Sequence, residues 1–380
     1  MIKRIIPQQL EDGMVTAEPV ITPSGQILAP VGVTLTKQLI KKIKLYNVAF
    51  VTITIPSSTV APTTQIVTPE VPKEEPVRKP ATYAEESQSN FRRVTVTSEF
   101  KGFQVDYLFF IEQLKDIFLN IIRTPNYKIN TSELVETLAP LYRSRNTIIE
   151  LFDMIHQMHS INDSIYAHCV NVALISRMIG RWLHLEQHDL DILTCCGLLH
   201  DIGKLGIPDE ILNKPGKLTQ EEFETIKSHT NLGYRVLANQ DIDTRIKQSA
   251  LLHHERYDGS GYPNGLTSEL LPDFAMIVAI ADVYDAMTAT RSYREPLCAF
   301  EVIEKFEHDG YQKYHTKFIH TFLQKIATTY QSNRIMLNDG RGAKIVMLNQ
   351  NRLSKPIIQF DSGECIDLST RSDLFISKIL

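Results

Sequence analysis

Five histidines and two aspartates restrict what this chain can fold into, because several of them interrupt apolar helical sequence. His200-Asp201 follows Leu198-Leu199, His253-His254 follows Leu251-Leu252, and Asp282 breaks into the run Ala275-Met276-Ile277-Val278-Ala279-Ile280-Ala281. A carboxylate buried without a partner in such a run is costly. Any fold that buries this helix must bring Asp282 either a metal ion or a buried arginine.

The remaining histidines fit the same demand. Val172, Ile175, Ile179 and Trp182 follow His168 at helical spacing, which places His168 on the buried stripe of its helix. Alone, it would read as a core histidine bonded to a carbonyl, and His229 alone as a surface histidine. Imidazole and carboxylate together are what borderline metals take. Adjacent residues point about 100° apart on a helix, so His200 and Asp201 can share an ion only from a helix end, and the following Gly203 permits one.

At 380 residues the chain is too long for one small core and implies two or three domains. Residues 1–55 read as a small α+β regulatory module. It comprises a strand over Gly13 to Ile21, a turn at Pro23-Ser24-Gly25, a return strand Gln26 to Ala29, a helix from Thr36 to Leu45 and a strand from Phe50 to Ile55. Lys37, Lys41 and Lys44 line one face of that helix and read as a solvated face. Residues 56–97, punctuated by prolines among Ser, Thr, Glu and Lys, read as a linker.

From residue 98 to about 332 the pattern is helical, with the catalytic core over 150–330. Phe103 to Ile122 forms one helix, Thr131 to Met158 one or two, Glu186 to Asp201 another. A loop precedes the capping box Thr219-Gln220-Glu221-Glu222, whose helix carries His229 about three turns in. A helix is expected over Asp273 to Thr288 and more helix through Phe300 to Tyr330. Glu255 to Gly265 is a glycine-rich loop. Residues 334–380 switch to alternating strands and suggest a small β-rich, barrel-like C-terminal module. The fold class is therefore mainly α: a helical bundle core with a small module at each end.

Net charge is −4, so no global basic field recruits a nucleic acid polymer. No apolar run reaches the ~18 residues of a membrane span. The five cysteines have neither disulfide-framework nor zinc-finger spacing, which suits a cytoplasmic chain. Cys195 and Cys196 read as small buried thiols.

His168, His200, Asp201, His229, His253, His254 and Asp282 are together enough for two metals. Asp201 is the natural bridge, having two oxygens to offer. Two metals activate a water and hold a phosphoryl group, and nitrogen-rich ligation without thiolate suits iron, manganese or another first-row metal. Lys204 can neutralise a phosphate oxygen. Arg291 and Arg294, one turn apart, suit the rest of a phosphodiester. Asp285 is given a supporting role at most. Lys214, Lys217 and Arg256 are weaker candidates for anion contact.

These motifs resemble the HD-GYP subgroup of the HD phosphohydrolase superfamily. The resemblance runs through His200-Asp201-Ile202-Gly203-Lys204, Ile207-Pro208-Asp209, Lys214-Pro215-Gly216-Lys217-Leu218-Thr219, His253 to Pro263 and Ile280 to Ala286. It implies an all-helical domain with two or three metals, often iron or manganese. The implied reaction is hydrolysis of cyclic di-GMP to pGpG and often on to GMP; some members act on cyclic GMP-AMP. It assigns metal ligation to His200, Asp201, His229, His253, His254 and Asp282, matches His168 to an upstream histidine, and matches Lys204, Arg291 and Arg294 to phosphate contacts. Tyr262, in the namesake loop Gly261-Tyr262-Pro263, is implied to lie near substrate and to help dock diguanylate cyclases. Three-metal members carry a glutamate one turn before the upstream histidine; here that position is Ser164, beside Asp163, so two divalent ions are expected. A homodimer is compatible with this reading. The other readings are a non-hydrolysing cyclic dinucleotide receptor and a cyclase-docking adaptor.

Overall fold

A computed structural model describes residues 2–5, 7, 10–21, 27–36, 39–40, 43, 50–54, 98–124, 126–143, 148–159, 161–162, 164–214, 216–289 and 296–380. The 56–97 segment, Lys37, Lys41, Lys44, Asp163, Arg291 and Arg294 fall outside these residues. The chain divides into two compact units, Met1–Phe109 and Phe110–Leu380.

In the first unit, strands β1 (Ile2–Ile5), β2 (Val15–Thr16) and β5 (Val51–Thr54) form an antiparallel sheet in the order β1-β5-β2. β3 (Val20–Ile21) and β4 (Ile27–Ala29) form a separate two-stranded ladder. The single strand expected over Gly13 to Ile21 is thus two short strands in different sheets. Pro19 lies between them, and proline has no N–H to give a ladder. Val20, Leu28, Leu35, Ile43, Val51 and Ile53 fill the core of this unit. Leu39, Ile40 and Ile43 are buried on one side of the expected helix.

Helix α1 (Ser98–Arg123) opens the helical region. The stretch expected to hold one or two helices contains three: α2 (Thr131–Leu138), α3 (Pro140–Arg143) and α4 (Ile148–Met158). Pro140 starts α3, since a proline at the first helical position sacrifices no bond. The central pair is α5 (Ile165–Trp182) against α6 (Gln187–Leu199). Across α5 packs α11 (Asp273–Thr288), which is apolar nearly all round and correspondingly buried. α7 (Asp209–Leu212) occupies part of the expected loop, and is followed by α8 (Gln220–Lys227), α9 (His229–Ala238) and α10 (Thr244–Leu252). α12 (Ala299–Lys313) and α13 (Thr316–Thr329) complete the helices. Phe152 stacks on Trp182 at 6.1 Å and meets Tyr284 edge-on at 5.7 Å; Tyr284 in turn meets Phe322 at 5.1 Å. Each such pair contributes about 0.5–1.5 kcal/mol beyond its buried area.

The helix expected to run from the capping box through His229 needs correction. The capping box of Thr219 and Glu222 forms, but its helix ends at Lys227. His229 is the first residue of α9, after the turn at Ser228, whose hydroxyl donates to the Thr225 carbonyl at 2.6 Å. A serine bonding back to its own turn competes with the helical ladder.

Residues 334–380 form five antiparallel strands in the order β10-β6-β7-β8-β9: β6 (Arg334–Leu337), β7 (Gly342–Met347), β8 (Ile357–Phe360), β9 (Cys365–Asp367) and β10 (Ile376–Ile379). β9 and β10 stay unpaired with each other, so the sheet is open and the barrel-like expectation is wrong. At one end Glu307 of α12 accepts the backbone N–H of Leu353 at 2.5 Å and hydrogen-bonds Ser354. Buried Lys355 donates to the Leu374 carbonyl at 3.0 Å. Among the described residues no helix is long and apolar enough to cross a membrane.

Candidate metal centre

The ends of α6, α9 and α10, the first turn of α5 and the middle of α11 bring seven side chains together. His200 caps the C-terminus of α6 and still holds helical angles, φ −56° and ψ −37°. Asp201 leaves the helix at φ −101° and ψ 9°, and a 3-10 turn, Ile202–Gly206, follows. This break turns two adjacent side chains toward one space. The turn lies directly on α9. A Cβ at Gly203 would stand 1.9 Å from the His229 carbonyl oxygen and 2.4 Å from the Gly233 nitrogen, so only glycine fits.

Asp201 faces partners through both oxygens. Oδ2 lies 3.3 Å from His200 Nε2 and 3.5 Å from His168 Nε2, and accepts from Lys204 Nζ. Oδ1 lies 3.4 Å from His229 Nε2 and 3.7 Å from His253 Nε2. His168 Nε2 is also 3.1 Å from Asp282 Oδ1, and His254 Nδ1 is 3.7 Å from Asp282 Oδ2. Two donor groups result: Asp201, His229, His253 and His254 in one, His168, His200 and Asp282 in the other. Within each, the donor atoms lie within 4.8 Å of one another. Asp282 thus meets histidines, and no arginine pairs with it among the described residues.

Backbone carbonyls orient three of the imidazoles. Nδ1 of His200 donates to Gly197 O at 2.8 Å, that of His229 to Ile226 O at 2.6 Å, and that of His253 to Ser249 O at 2.9 Å. These bonds place the proton on Nδ1 and leave Nε2 bare, facing Asp201. His229 Nε2 and His253 Nε2 are then two lone pairs 3.3 Å apart beside a carboxylate oxygen. His200 Nε2 and Asp201 Oδ1 are buried and lack any hydrogen-bond partner among the described residues. Electron-rich atoms so arranged repel one another unless a cation lies between them. The donor set therefore fits divalent metal ions.

His168 is held differently. Its Nδ1 donates to Asp285 Oδ2 at 2.7 Å, and His159 Nε2 lies 2.8 Å from Asp285 Oδ1. Burial opposes charging His168, but its bonds to Asp282 and Asp285 push its pKa up to about 9. Burial would raise the Asp201 carboxyl, yet His200 and Lys204 hold it well below the usual range. The Asp282 carboxyl is likewise depressed against burial by the His168 bond. Burial, then the charge of His254, keeps His253 neutral far below its ordinary value. Burial lowers His254 to about 3. Neutral imidazole and ionised carboxylate are the ligating forms, and these shifts give them to His253, His254, Asp201 and Asp282 but not to His168.

The glycine-rich loop forms one wall. Tyr262 stacks on His254 with centroids 4.7 Å apart, and Lys227 Nζ is 5.5 Å from the tyrosine ring centroid. Glu255, buried, accepts the N–H groups of Asn264 at 2.7 Å and Leu266 at 3.0 Å and so ties the loop down. A Cβ at Gly261 would come 2.3 Å from the Arg256 nitrogen. Arg256 is spent on the carbonyls of His253 and Glu255, and Lys214 on Glu222 at 2.7 Å. Cys195 and Cys196 are buried thiols whose pKa burial pushes up. Ser164, at the position of interest one turn before His168, uses its hydroxyl to cap α5 by accepting the Ala167 N–H at 3.2 Å.

Sequence reasoning missed His159 and gave Glu255 no role. His159 directly follows the apolar helix α4, and Asp285 is a second carboxylate in a helix too apolar to carry one unpartnered; that excess carboxylate was the available signal.

Residues 136–315 match the HD domain family. The chain is similar to a cyclic di-GMP phosphodiesterase of Thermotoga maritima, 37% identical over 179 residues, 47% of this chain and 48% of that protein. It is also similar to the cyclic di-GMP phosphodiesterase response regulator RpfG of Xanthomonas campestris pv. campestris, 44% identical over 124 residues, 32% of each chain. The match thus spans about half the length of these curated relatives or less. Among solved structures, Bd1817, an HDG"Y"P protein from Bdellovibrio bacteriovorus, has the same fold at a TM-score of 0.52 and 16% identity, over 85% of this chain and 98% of that one.

Proposed function

We propose that the chain is a metal-dependent phosphodiesterase hydrolysing cyclic di-GMP to linear pGpG, because residues 136–315 match the HD domain family and carry the His200-Asp201 and Gly261-Tyr262-Pro263 motifs. The supporting observation is the division of labour at Asp201: one oxygen faces His168 and His200, the other His229 and His253. Two ions would fit that arrangement: His168, His200 and Asp282 would hold one and His229, His253 and His254 the other, each beside an oxygen of Asp201. Iron or manganese fits the nitrogen-rich donors. Bound there, the ions supply Lewis acidity and a water of lowered pKa.

The chain's own residues supply the rest. The Lys204 ammonium, paired with Asp201 Oδ2 and 22% exposed, has N–H donors left for a phosphate oxygen whose charge grows during attack. Arg291 and Arg294 are assigned to the phosphodiester on sequence alone. Tyr262, backed by His254, offers a rim against which a substrate base or a docking diguanylate cyclase can rest. The five cysteines are free, which agrees with a cytoplasmic setting.

The test is product analysis. Purified chain with manganese or ferrous iron should convert cyclic di-GMP to pGpG, resolved by chromatography, and Asp201→Ala should abolish conversion. The relatives include a 3'3'-cGAMP-specific phosphodiesterase of Vibrio cholerae, 29% identical over 221 residues, so cyclic GMP-AMP belongs in the same assay. Tight binding of both nucleotides without turnover would replace the hydrolase with a receptor.

A further inference from the structure

One motif remains without a task. Ile207-Pro208-Asp209 leaves the 3-10 turn that carries Lys204 and opens the four-residue helix α7. A cavity of about 370 Å³ beside the metal centre is lined by His168, Lys204 and Asp285 and also by Tyr166, Asp209 and Asn213. Its volume is in the range of small-molecule sites. One wall therefore carries His168 and Lys204 from the edge of the metal centre, with Asp285 behind His168, and another carries an aromatic ring and a carboxylate.

Asp209 is exposed, and its side chain makes no hydrogen bond or ion pair among the described residues. Tyr166 is half-buried with its ring edge on Phe118 at 5.7 Å. Burial raises the Tyr166 hydroxyl pKa, and Asp209 is among the nearby negative charges that add to the rise. Ring and carboxylate line the same cavity and so face one ligand space. Leu205 and Leu212 contribute apolar surface.

Resting on the phosphodiesterase reading above, we propose that Asp209 is a specificity residue that reads the Watson–Crick edge of one guanine of the substrate. An ionised carboxylate only accepts hydrogen bonds. Guanine presents two neighbouring donors, N1–H and the N2 amino group, which match its two oxygens. Adenine presents a donor beside the N1 lone pair, and that lone pair faces the carboxylate unfavourably. Bases read outside a duplex are held by edge hydrogen bonds and by stacking; Tyr166 and the two leucines supply the flanking surface. Lys204, in the same cavity, anchors the phosphate end.

The experiment compares equilibrium binding of GMP and AMP to the manganese-loaded full chain, in wild type, Asp209→Asn and Asp209→Glu. Two charge-assisted bonds predict that wild type favours GMP about tenfold to a hundredfold. The amide introduced by Asp209→Asn carries both a donor and an acceptor, so the D209N ratio should fall to near one, while D209E keeps part of the preference. The ratio within one protein sample is insensitive to a loss of folded fraction. A wild type with no preference overturns the proposal, as does a D209N chain that keeps the full ratio or binds neither nucleotide. Cyclic di-GMP hydrolysis by wild type is measured in parallel. Hydrolysis with an unchanged ratio leaves the phosphodiesterase and removes the guanine reader. A collapsed ratio without hydrolysis does the reverse.

Discussion

The two donor groups at the centre contain the same chemistry and are built by different means. Around Asp201 Oδ1, His229 and His253 are oriented by the backbone carbonyls of Ile226 and Ser249. On the other side His200 is likewise held by the Gly197 carbonyl, but His168 is oriented by a side chain, Asp285, itself tied to His159. A carbonyl at a helix end is supplied by any sequence that keeps the helix. A buried carboxylate must be encoded, and it brings charge with it. One half is thus robust to substitution of its supports, and the other is adjustable through them.

Replacing Asp201 removes what the halves share. Asp201→Ala should lower metal content in both and cut hydrolysis by about a thousandfold or more, read by elemental analysis beside product chromatography. Next in size, Asp282→Ala and His229→Ala should each remove about one ion per chain and cost on the order of a hundredfold in rate. If either variant loses both ions together, the two halves are one cooperative site. Asp285→Asn should weaken loading of the His168 half by roughly 10–100-fold and leave the His229 half near its wild-type affinity, in a manganese titration followed by electron paramagnetic resonance. Equal weakening of both would erase the distinction. His159→Gln, one step further out, should have a smaller effect in the same titration, about severalfold. Glu255→Gln lies outside both halves; it should lower stability by about 1–3 kcal/mol in chemical denaturation, with loading of the two halves changed alike.

Much of this was legible beforehand because the residues involved are expensive to bury. Asp282, directly after the apolar run Ala275 to Ala281, demanded a partner, and His168 lay on an apolar stripe, so a common interior was foreseeable. The helical class followed from the same periodicity. What escaped depended on local competition or on contacts distant in sequence. Ser228 ends α8 through a bond to its own turn, which put His229 at a helix start and not three turns into a helix. Pro19 divides an apparently continuous strand between two sheets. The open sheet of residues 334–380 could not be told from a closed one, since alternation shows which face is buried and not which edges pair. Glu255 bonds backbone groups in its own loop, and nothing in its identity distinguishes that from a solvated glutamate.

Gly203 gives the centre a property that side-chain chemistry alone cannot provide. Main chain rests on main chain where its turn meets the first residue of α9. Rotamer hopping and swapped surface residues leave such a joint untouched, so the gauge between Asp201 and His229 is machined into the polypeptide itself. Adding one methyl group at residue 203 would force the joint open and spread the ligands on either side of it, with every coordinating atom still present.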